Sequence, residues 1–461
     1  MNQYNQLVER QRKYWMSGET RTLSFRLKSL KKLKREIYRH YDDIIEALKK
    51  DFGKAEFETL TTEIAGTLDE ISMAIKRLHL WMKPERVKTP LTLFKATSRV
   101  YKEPYGCVFI ITAWNYPFLL AMAPLVGAIA AGNCCIMKPS ELAPETSDII
   151  RKIIENIYSK EYCMVVEGGV EETTGLLKEK FDLIHYTGGE YVGKIVAQAA
   201  AKNLTPVILE LGGKSPCIVD ETADIKLAAG RILWGKFVNA GQTCVAPDYL
   251  LVHEAVKAQL LEALKTKLAA FYGEKVYENN DYCRIINIKH FERLMWYLDN
   301  LNEGKIIEGG IGIKKRLYIE PTIIDHVKWE DPIMQEEIFG PILPILTYNH
   351  LDEVINKVNS GNKPLALYFF SNSKQKQKKI IKNISFGGGC MNGTLMHTAN
   401  PYLPFGGVGN SGMGCYHGKW GFDAFSHKKG VLKRSAKIDI SLLYPPYKMK
   451  EKLIKKFYLK K

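Results

Sequence analysis

Residues 104–137 read PYGCVFIITAWNYPFLLAMAPLVGAIAAGNCCIM and contain no charged side chain. An uncharged run of this length is long enough to span a bilayer. The run is broken, however, by turn-forming and polar residues: Asn115, Pro117, Pro124, Gly127 and Gly132. It divides naturally into a strand at 107–112, a loop at 114–117, a helix at 118–131 and a strand at 134–137. The stretch therefore predicts a buried βαβ unit in preference to a membrane span.

Strand and helix signals keep alternating beyond this unit. We predict helices at 146–157 and 192–201 and strands at 163–166, 183–186 and 207–209. A second series follows Gly212-Gly213, with strands at 217–219 and 248–252 and helices at 225–237 and 255–271. Such alternation indicates an α/β protein with doubly wound parallel sheets, divided into two lobes near Leu209.

The regions outside this alternation differ in character. Apolar residues spaced by three and four over 21–50 predict an amphipathic helix. The prolines and short apolar groups of 83–101 indicate an extended arm or hairpin. The glycine-rich stretches 386–390 and 405–414 indicate loops, and the chain ends in a basic tail.

Composition narrows the functional classes. The nine cysteines are an odd number without any CxxC pair, which argues against a disulfide scaffold and a zinc ribbon. No metal site is predicted. A reducing cytoplasm fits this pattern, and residues 1–20 lack the apolar core of a signal peptide. The net charge of +16 suits anionic partners, but no nucleic-acid-binding module is recognisable.

Two residues are candidates for covalent and acid–base chemistry. Cys244 lies among small residues after a predicted helix, which suits an accessible nucleophile, although a lone cysteine is more often a buried structural residue. Glu210 directly follows an apolar strand, where α/β proteins build their sites and where apolar flanks raise a carboxyl pKa. A simple pair between Glu210 and Lys214 is an equally good interpretation.

Other motifs carry weaker signals. Gly188 to Gly193 form a GxxxxG turn between a strand and a helix, where phosphate could bind or the chain could simply turn. Lys138 and Glu141 close another buried strand and could both contact a ribose or form a solvated turn. Glu337 and Phe339 precede Gly340-Pro341, which physics alone interprets only as a hairpin.

These motifs, in this order, resemble the aldehyde dehydrogenase superfamily over nearly the whole chain. The residues that carry the resemblance are Asn115 in WNYP, Lys138 in KPSE, Thr187-Gly188 with Gly193, Glu210 in ELGGK, Cys244 in GQTC and Glu337 in EIFGP. The endings LPFGGVGNSGMG at 403–414 and YHGK at 416–419 resemble the class 3 branch, which acts on fatty or aromatic aldehydes.

The resemblance implies a fold and a mechanism. It implies a Rossmann-like cofactor lobe, a catalytic lobe and a small β oligomerisation arm. Cys244 would attack the aldehyde, the Cys244 N–H and the Asn115 amide would hold the oxyanion, and Glu210 would activate the water that hydrolyses the thioester. NAD would be the preferred cofactor, with NADP accepted.

The resemblance also implies binding residues. Those expected to bind the cofactor are Lys138, Glu141, Gly188, Gly193, Glu337, Phe339 and Trp114. Tyr116 and Trp234 match positions that line the substrate tunnel, although two aromatic residues near a site are as often part of the core. Tyr186 and Glu190 depart from the family pattern, and Glu190 puts a negative charge near the expected pyrophosphate.

The resemblance further implies domains and assembly. We expect a cofactor domain from 1–81 and 103–209, a catalytic domain at 210–422, an oligomerisation arm from 82–102 and 423–446, and a basic tail at 447–461. The arm predicts a homodimer. Met449, Leu453 and Phe457 form one helical stripe among the lysines of the tail, which makes weak contact with anionic membranes an alternative to a solvated end. Two other functions stay open: a CoA-acylating aldehyde dehydrogenase, and a non-catalytic protein with the same fold.

Overall fold

The computed structural model describes residues 3–273, 275–439, 444–448 and 450–459. The described helices are α1 Gln3–Met16, α2 Leu23–Arg39, α3 Tyr41–Phe52, α4 Glu56–Thr59, α5 Ala65–Trp81, α6 Pro117–Ala131, α7 Pro144–Ile157, α8 Val170–Leu177, α9 Glu190–Ala201, α10 Ile225–Phe237, α11 Glu254–Tyr272, α12 Ile288–Asp299, α13 Leu351–Ser360, α14 Lys374–Asn383, α15 Gly418–Ala424 and α16 Lys450–Tyr458.

The strands fall into four sheets. They are β1 Glu85–Val87, β2 Ala96–Pro104, β3 Cys107–Ile111, β4 Cys134–Lys138, β5 Cys163–Val165, β6 Leu183–Thr187, β7 Val207–Glu210, β8 Pro216–Val219, β9 Tyr249–His253, β10 Lys305–Glu308, β11 Gly312–Ile313, β12 Tyr318–Ile319, β13 Thr322–Asp325, β14 Ile342–Tyr348, β15 Ala366–Phe370, β16 Gly388–Met391, β17 Gly412–Met413 and β18 Ser426–Arg434.

Two large sheets confirm the predicted α/β class. The first has the strand order β17-β7-β6-β3-β4-β5 and is parallel except for β17, and the second has the order β10-β13-β14-β9-β8-β15-β16 and is parallel except for β10. A third sheet joins β1, β2 and β18, and β11 pairs with β12. The antiparallel pairing of β1 with β2 shows that the extended arm or hairpin predicted at 83–101 is a hairpin.

The uncharged stretch folds as predicted, because β3, α6 and β4 form a parallel βαβ unit that is buried almost throughout. None of the helices formed by the described residues is both long and apolar enough to cross a membrane.

Two sequence predictions were wrong in detail. The single helix predicted over 21–50 is two helices, since α2 ends at Arg39 and α3 begins at Tyr41. The ring nitrogens of His40, at the break, lie 3.3 Å and 2.7 Å from the carboxylates of Glu36 and Asp43.

Within the predicted loop at 386–390, residues 388–390 instead belong to the edge strand β16. A Cβ atom at Gly389 would lie 2.1 Å from the carbonyl oxygen of Leu367, so glycine permits close pairing with β15.

The chain divides into two compact units. The larger contains the described parts of 1–81 and 104–427, and the smaller contains those of 82–103 and 428–461. Both large sheets, and all residues of the cleft described below, belong to the larger unit.

Candidate active site

A cleft of about 890 Å³ in the larger unit brings together most of the predicted site residues. Its lining includes Trp114, Asn115, Gly188, Glu210, Cys244, Glu337 and Phe339. Several of these residues follow the carboxyl ends of strands, where ligand sites form in parallel sheets. The cleft therefore joins the candidate nucleophile and base with most of the candidate cofactor residues.

A strained turn places Cys244 at the cleft. The chain leaves α10 through Val238–Gly241, where Asn239, Ala240 and Gly241 have φ values of 53°, 50° and 72°. A Cβ atom at Gly241 would lie 2.3 Å from the carbonyl oxygen of Gly340, so only glycine fits there. Burial, together with the carboxyl groups of Glu210 and Glu337, raises the pKa of Cys244 well above its usual value. Its reaction thus needs a group that accepts the thiol proton.

Glu210 ends β7 and is 1% exposed. Burial raises the pKa of its carboxyl group to about 8, an effect that the facing Cys244 thiol partly offsets. The alternative pairing of Glu210 with Lys214 is wrong, because Lys214 Nζ donates to Asp248 Oδ2 at 2.5 Å. Glu210 is therefore a buried carboxyl group that can hold a proton near neutral pH.

A buried ion pair supports the loop that carries Asn115. Lys54 Nζ lies 2.6 Å from Glu63 Oε1, with both side chains fully buried, and it also donates to the carbonyl oxygen of Asn115 at 3.5 Å. Glu63 Oε2 accepts from the N–H groups of Phe118 and Leu119, at 3.0 Å each, at the start of α6. Sequence reasoning missed this pair, since neither residue stands in a recognisable motif.

The turn between Asn115 and Cys244 is tied together directly. Asn239 Nδ2 donates to the Asn115 carbonyl oxygen at 2.8 Å and to that of Gln242 at 3.1 Å. These bonds connect the loop before α6 to the turn before Cys244. The position of the Asn115 backbone is therefore coupled to that of the nucleophile.

The strand-to-helix turn before α9 lies at the cleft. Tyr186 folds back over it, and its OH donates to the Gly189 carbonyl oxygen at 3.2 Å. A Cβ atom at Gly188 would lie 2.3 Å from that phenol oxygen, so a larger residue at position 188 would clash with Tyr186 in this position. Glu190 pairs with Lys194 at 2.7 Å and accepts from Asn410 Nδ2 at 2.8 Å. These contacts lower the Glu190 pKa and compensate its charge.

Glu337 and the aromatic rings form another wall. Burial and the nearby Asp248 raise the Glu337 pKa to about 8. A Cβ atom at Gly212 would lie 2.1 Å from Glu337 Oε2, so that glycine makes room for the carboxyl group. Phe339, with φ 48°, meets Trp114 edge-on at 5.2 Å between ring centres.

Five predicted site residues do not line the cleft. Lys138 Nζ bonds Glu141 Oε2 at 2.5 Å beyond the end of β4. Gly193 faces Leu211, whose Cδ2 would lie 2.7 Å from an added Cβ, so a glycine there lets α9 pack closely against the residue that follows β7. The Tyr116 OH lies 2.7 Å from Thr243 Oγ1, and Trp234 is 41% exposed on α10. The roles of these five residues stay predictions.

The profile of the aldehyde dehydrogenase family matches residues 2–431. The chain belongs to the aldehyde dehydrogenase family. It is 51% identical over 458 residues to the 4,4'-diaponeurosporen-aldehyde dehydrogenase of Staphylococcus aureus. The aligned residues cover 99% of this chain and 100% of that protein. It is 47% identical over 435 residues to the dimeric NADP-preferring aldehyde dehydrogenase of Rattus norvegicus, covering 94% of this chain and 95% of the relative.

Solved structures agree with this membership. The substrate-bound state of Staphylococcus aureus AldH superposes with a TM-score of 0.97 at 51% identity, covering 99% of this chain and 100% of that one. The resemblance to the class 3 branch is confirmed. This aldehyde dehydrogenase oxidises aldehydes to carboxylic acids with NAD or NADP.

The cleft residues fit such a dinucleotide. The first turn of α9, including Glu190 and Tyr191, lines the cleft, and N–H groups at a helix start suit phosphate. The buried Glu337 carboxyl group suits the hydroxyls of a ribose. Phe339 and Trp114 offer ring faces and edges to a planar base.

Proposed function

We propose that this aldehyde dehydrogenase works through Cys244 as nucleophile, Glu210 as general base and the Asn115 amide as oxyanion donor. The observation that carries the proposal is the presence of all three residues in one cleft with Glu337 and Phe339. The raised Glu210 pKa supports a base role, because a general base is most effective when its pKa lies near the working pH.

The proposed sequence has two stages. The Cys244 thiol loses its proton to solvent, and its sulfur bonds to the aldehyde carbon. The Cys244 N–H and the Asn115 amide stabilise the resulting oxyanion. Hydride then leaves the carbon, and a thioester remains on Cys244. Water attacks this thioester and gives a proton to Glu210, the C–S bond breaks, and the carboxylic acid leaves.

The cofactor supplies one element of this chemistry: a bound nicotinamide ring accepts the hydride. The first turn of α9 would hold the phosphates, and Glu337 the nicotinamide ribose. We propose that Lys138 and Glu141 meet the adenosine ribose and that Gly193 supports the same turn. A carboxylate such as Glu141 accepts bonds from a 2′-hydroxyl and repels a 2′-phosphate, so NAD would be preferred over NADP.

We propose medium- or long-chain aliphatic or aromatic aldehydes as substrates. The relative named 4,4'-diaponeurosporen-aldehyde dehydrogenase supports this class, since it is 51% identical over nearly the whole length of both chains. Tyr116 and Trp234 would line the path of the apolar tail.

We also propose the cytoplasm as location and a homodimer as assembly, formed through the arm of 82–102 and 423–446. The rat relative is named as dimeric, which supports that assembly. The expected cofactor domain of 1–81 and 103–209 and catalytic domain of 210–422 form part of the same proposal. Residues 440–443 of the arm lie outside the described residues.

The tail is the proposed membrane contact. Leu453 and Phe457 are 56% and 73% exposed on α16, with lysines around them. An amphipathic helix of this kind binds anionic lipid through apolar insertion and charge. Met449, the third residue of the predicted stripe, lies outside the described residues.

Rapid mixing of Glu210→Gln with NAD and an apolar aldehyde tests the mechanism. We expect an NADH burst near one equivalent per site, then slow turnover, because acylation proceeds while hydrolysis stalls. Intact-mass spectrometry should find the acyl group on Cys244. Cys244→Ser is the matched control and should give no turnover, since an alkoxide forms far less readily than a thiolate.

Three outcomes would contradict this assignment. A burst without an adduct would indicate slow NADH release. Absence of the NADH burst in Glu210→Gln would show that Glu210 is needed to deprotonate the Cys244 thiol. Robust turnover of Glu210→Gln only with added CoA would favour an acylating enzyme.

A further inference from the structure

Three buried polar side-chain atoms, one on the proposed base and two on nearby residues, have no hydrogen-bond partner in the part of the chain that the structure describes. They are Glu210 Oε1, Thr187 Oγ1 and the Tyr416 phenol oxygen. Their residues are 1%, 4% and 1% exposed. Buried polar atoms in folded proteins are nearly always paired with protein or with ordered water. Three unpaired atoms in one place thus point to a shared ligand.

The fold places these atoms together. Thr187 and Glu210 are register partners on the neighbouring strands β6 and β7. On the other side of β7, Gly412 of β17 pairs with Glu210, and Tyr416 follows a few residues later. The phenol faces the Thr187 hydroxyl without making a well-formed hydrogen bond, and it lies close enough to Glu210 and Cys244 for both to raise its pKa.

The Tyr416 ring is fixed by its neighbours. His185 meets it edge-on at 5.1 Å between ring centres, and Phe405 does so at 5.6 Å. Its backbone is held by two bonds with Phe405, at 2.8 Å and 3.1 Å. The phenol group is therefore held in place by packing against His185 and Phe405.

We propose that Thr187 and Tyr416 are positioning residues that hold, together with Glu210, the water that hydrolyses the thioester. This inference rests on the hydrolytic role proposed above for Glu210. One water satisfies all three atoms: it donates to Glu210 Oε1 and to Thr187 Oγ1, and it accepts from the Tyr416 OH. Its remaining lone pair is then free to attack the acyl carbon on Cys244.

The water oxygen bonds to the acyl carbon, and the water proton on Glu210 Oε1 passes to that carboxylate. Collapse of the tetrahedral adduct breaks the C–S bond, leaving the thiolate of Cys244 and the carboxylic acid. The Tyr416 phenol keeps its own proton throughout, since burial and the facing carboxylates hold its pKa well above 10.

The test measures acylation and hydrolysis separately in Tyr416→Phe, Thr187→Val and Thr187→Ser. After rapid mixing with NAD and an apolar aldehyde, NADH absorbance reports acylation. Quenching and intact-mass analysis report decay of the acyl group on Cys244. We expect Tyr416→Phe and Thr187→Val to keep the burst and to slow acyl decay by about tenfold, the effect of one lost hydrogen bond. Thr187→Ser retains the hydroxyl and should restore decay.

Tyr318→Phe is the matched control. Tyr318 is also a buried tyrosine whose OH has no partner among the described residues, but it lies in β12, outside the first sheet. Its variant should leave the burst and the acyl decay unchanged.

Several results would overturn the inference. Unchanged acyl decay in Tyr416→Phe, or equal slowing in Tyr318→Phe, would remove the role of the phenol. A weaker affinity for NAD with normal acyl decay in Thr187→Val would assign the hydroxyl to the cofactor. Failure to find any acyl adduct in wild type and in Glu210→Gln would instead overturn the proposed function itself.

Discussion

The Glu210 carboxyl group is buried beside a thiol and has no cationic partner among the described residues. Burial without a cation favours the protonated form, so its pKa rises to about 8. The carboxylate that accepts a proton is then a minor species at pH 7. The raised pKa makes the Glu210 carboxylate a stronger base, but a smaller fraction of the molecules carries it deprotonated.

This balance predicts the pH dependence of hydrolysis. The rate of acyl decay should follow the deprotonated fraction of Glu210, rising about ninefold between pH 6 and pH 7 and levelling above pH 9. The rate rises with pH because the base form of a carboxyl group is lost as the pH falls, and the raised pKa places this loss near neutral pH. Quenched-flow decay of the acyl group, measured from pH 6 to 9.5, checks it.

The other titratable groups that face Glu210 define the control. Cys244, Tyr186 and Tyr416 have pKa values raised above this range by burial, whereas Glu337 titrates near 8 as well. Glu337→Gln should therefore retain the pH dependence of acyl decay. A flat profile in wild type, or loss of the dependence in Glu337→Gln, would contradict the assignment to Glu210.

At the scale of elements, the ion pair of Lys54 and Glu63 fastens the start of α6. Lys54→Met would leave a buried carboxylate without its cation, which typically costs about 3–5 kcal/mol of unfolding free energy. We expect a loss of this size in urea denaturation, with lower activity because the Asn115 loop loses a bond. Removing one partner of an exposed ion pair should lower the unfolding free energy much less.

Lys314 and Glu292 provide that comparison. Their side chains are 60% and 57% exposed at a separation of 2.7 Å. Lys314→Met should cost less than about 1 kcal/mol, because water screens exposed pairs. Equal losses in the two variants would show that burial does not determine the contribution of the first pair.

The accuracy of the sequence predictions also depends on the element. The βαβ unit at 107–138 was predictable because parallel strands buried on both faces have a continuously apolar sequence. The break at His40 was not, because the apolar spacing runs on through both helices. In β16, the glycines permit close approach to β15, whereas glycine-rich composition alone predicts a loop.

In the site, the residues within motifs were found and their supports were not. Cys244 and Glu210 stand in local patterns that already suggest their chemistry. Lys54 and Glu63 come together only through tertiary contacts, and their sequence neighbourhood carries no signal. Thr187 and Tyr416 lie within recognised motifs, but their unpaired oxygens are visible only in three dimensions.

At the scale of the whole molecule, the basic tail predicts membrane contact. We expect the full chain to sediment with phosphatidylglycerol vesicles at low salt and less with phosphatidylcholine vesicles. A chain ending at Pro446 should stay in the supernatant with both. High salt should release the full chain, since anionic lipid attracts the lysines.

A second variant separates charge from insertion. Replacing both Leu453 and Phe457 with serine keeps every lysine of the tail and removes two exposed apolar side chains of α16. Its sedimentation should fall between that of the full chain and that of the shortened one. Equal sedimentation of the full and shortened chains would exclude a role for the tail.

The pairing of β17 with β7 has a consequence for synthesis on the ribosome. The strand that carries Glu210 receives its outer neighbour from residues 412–413, near the far end of the chain. Until that segment has left the exit tunnel, β7 has an unpaired edge that can pair with another nascent chain. The Tyr416 side chain is missing from its place for the same period. Chemical competence and protection from misassociation are therefore acquired together, late in translation.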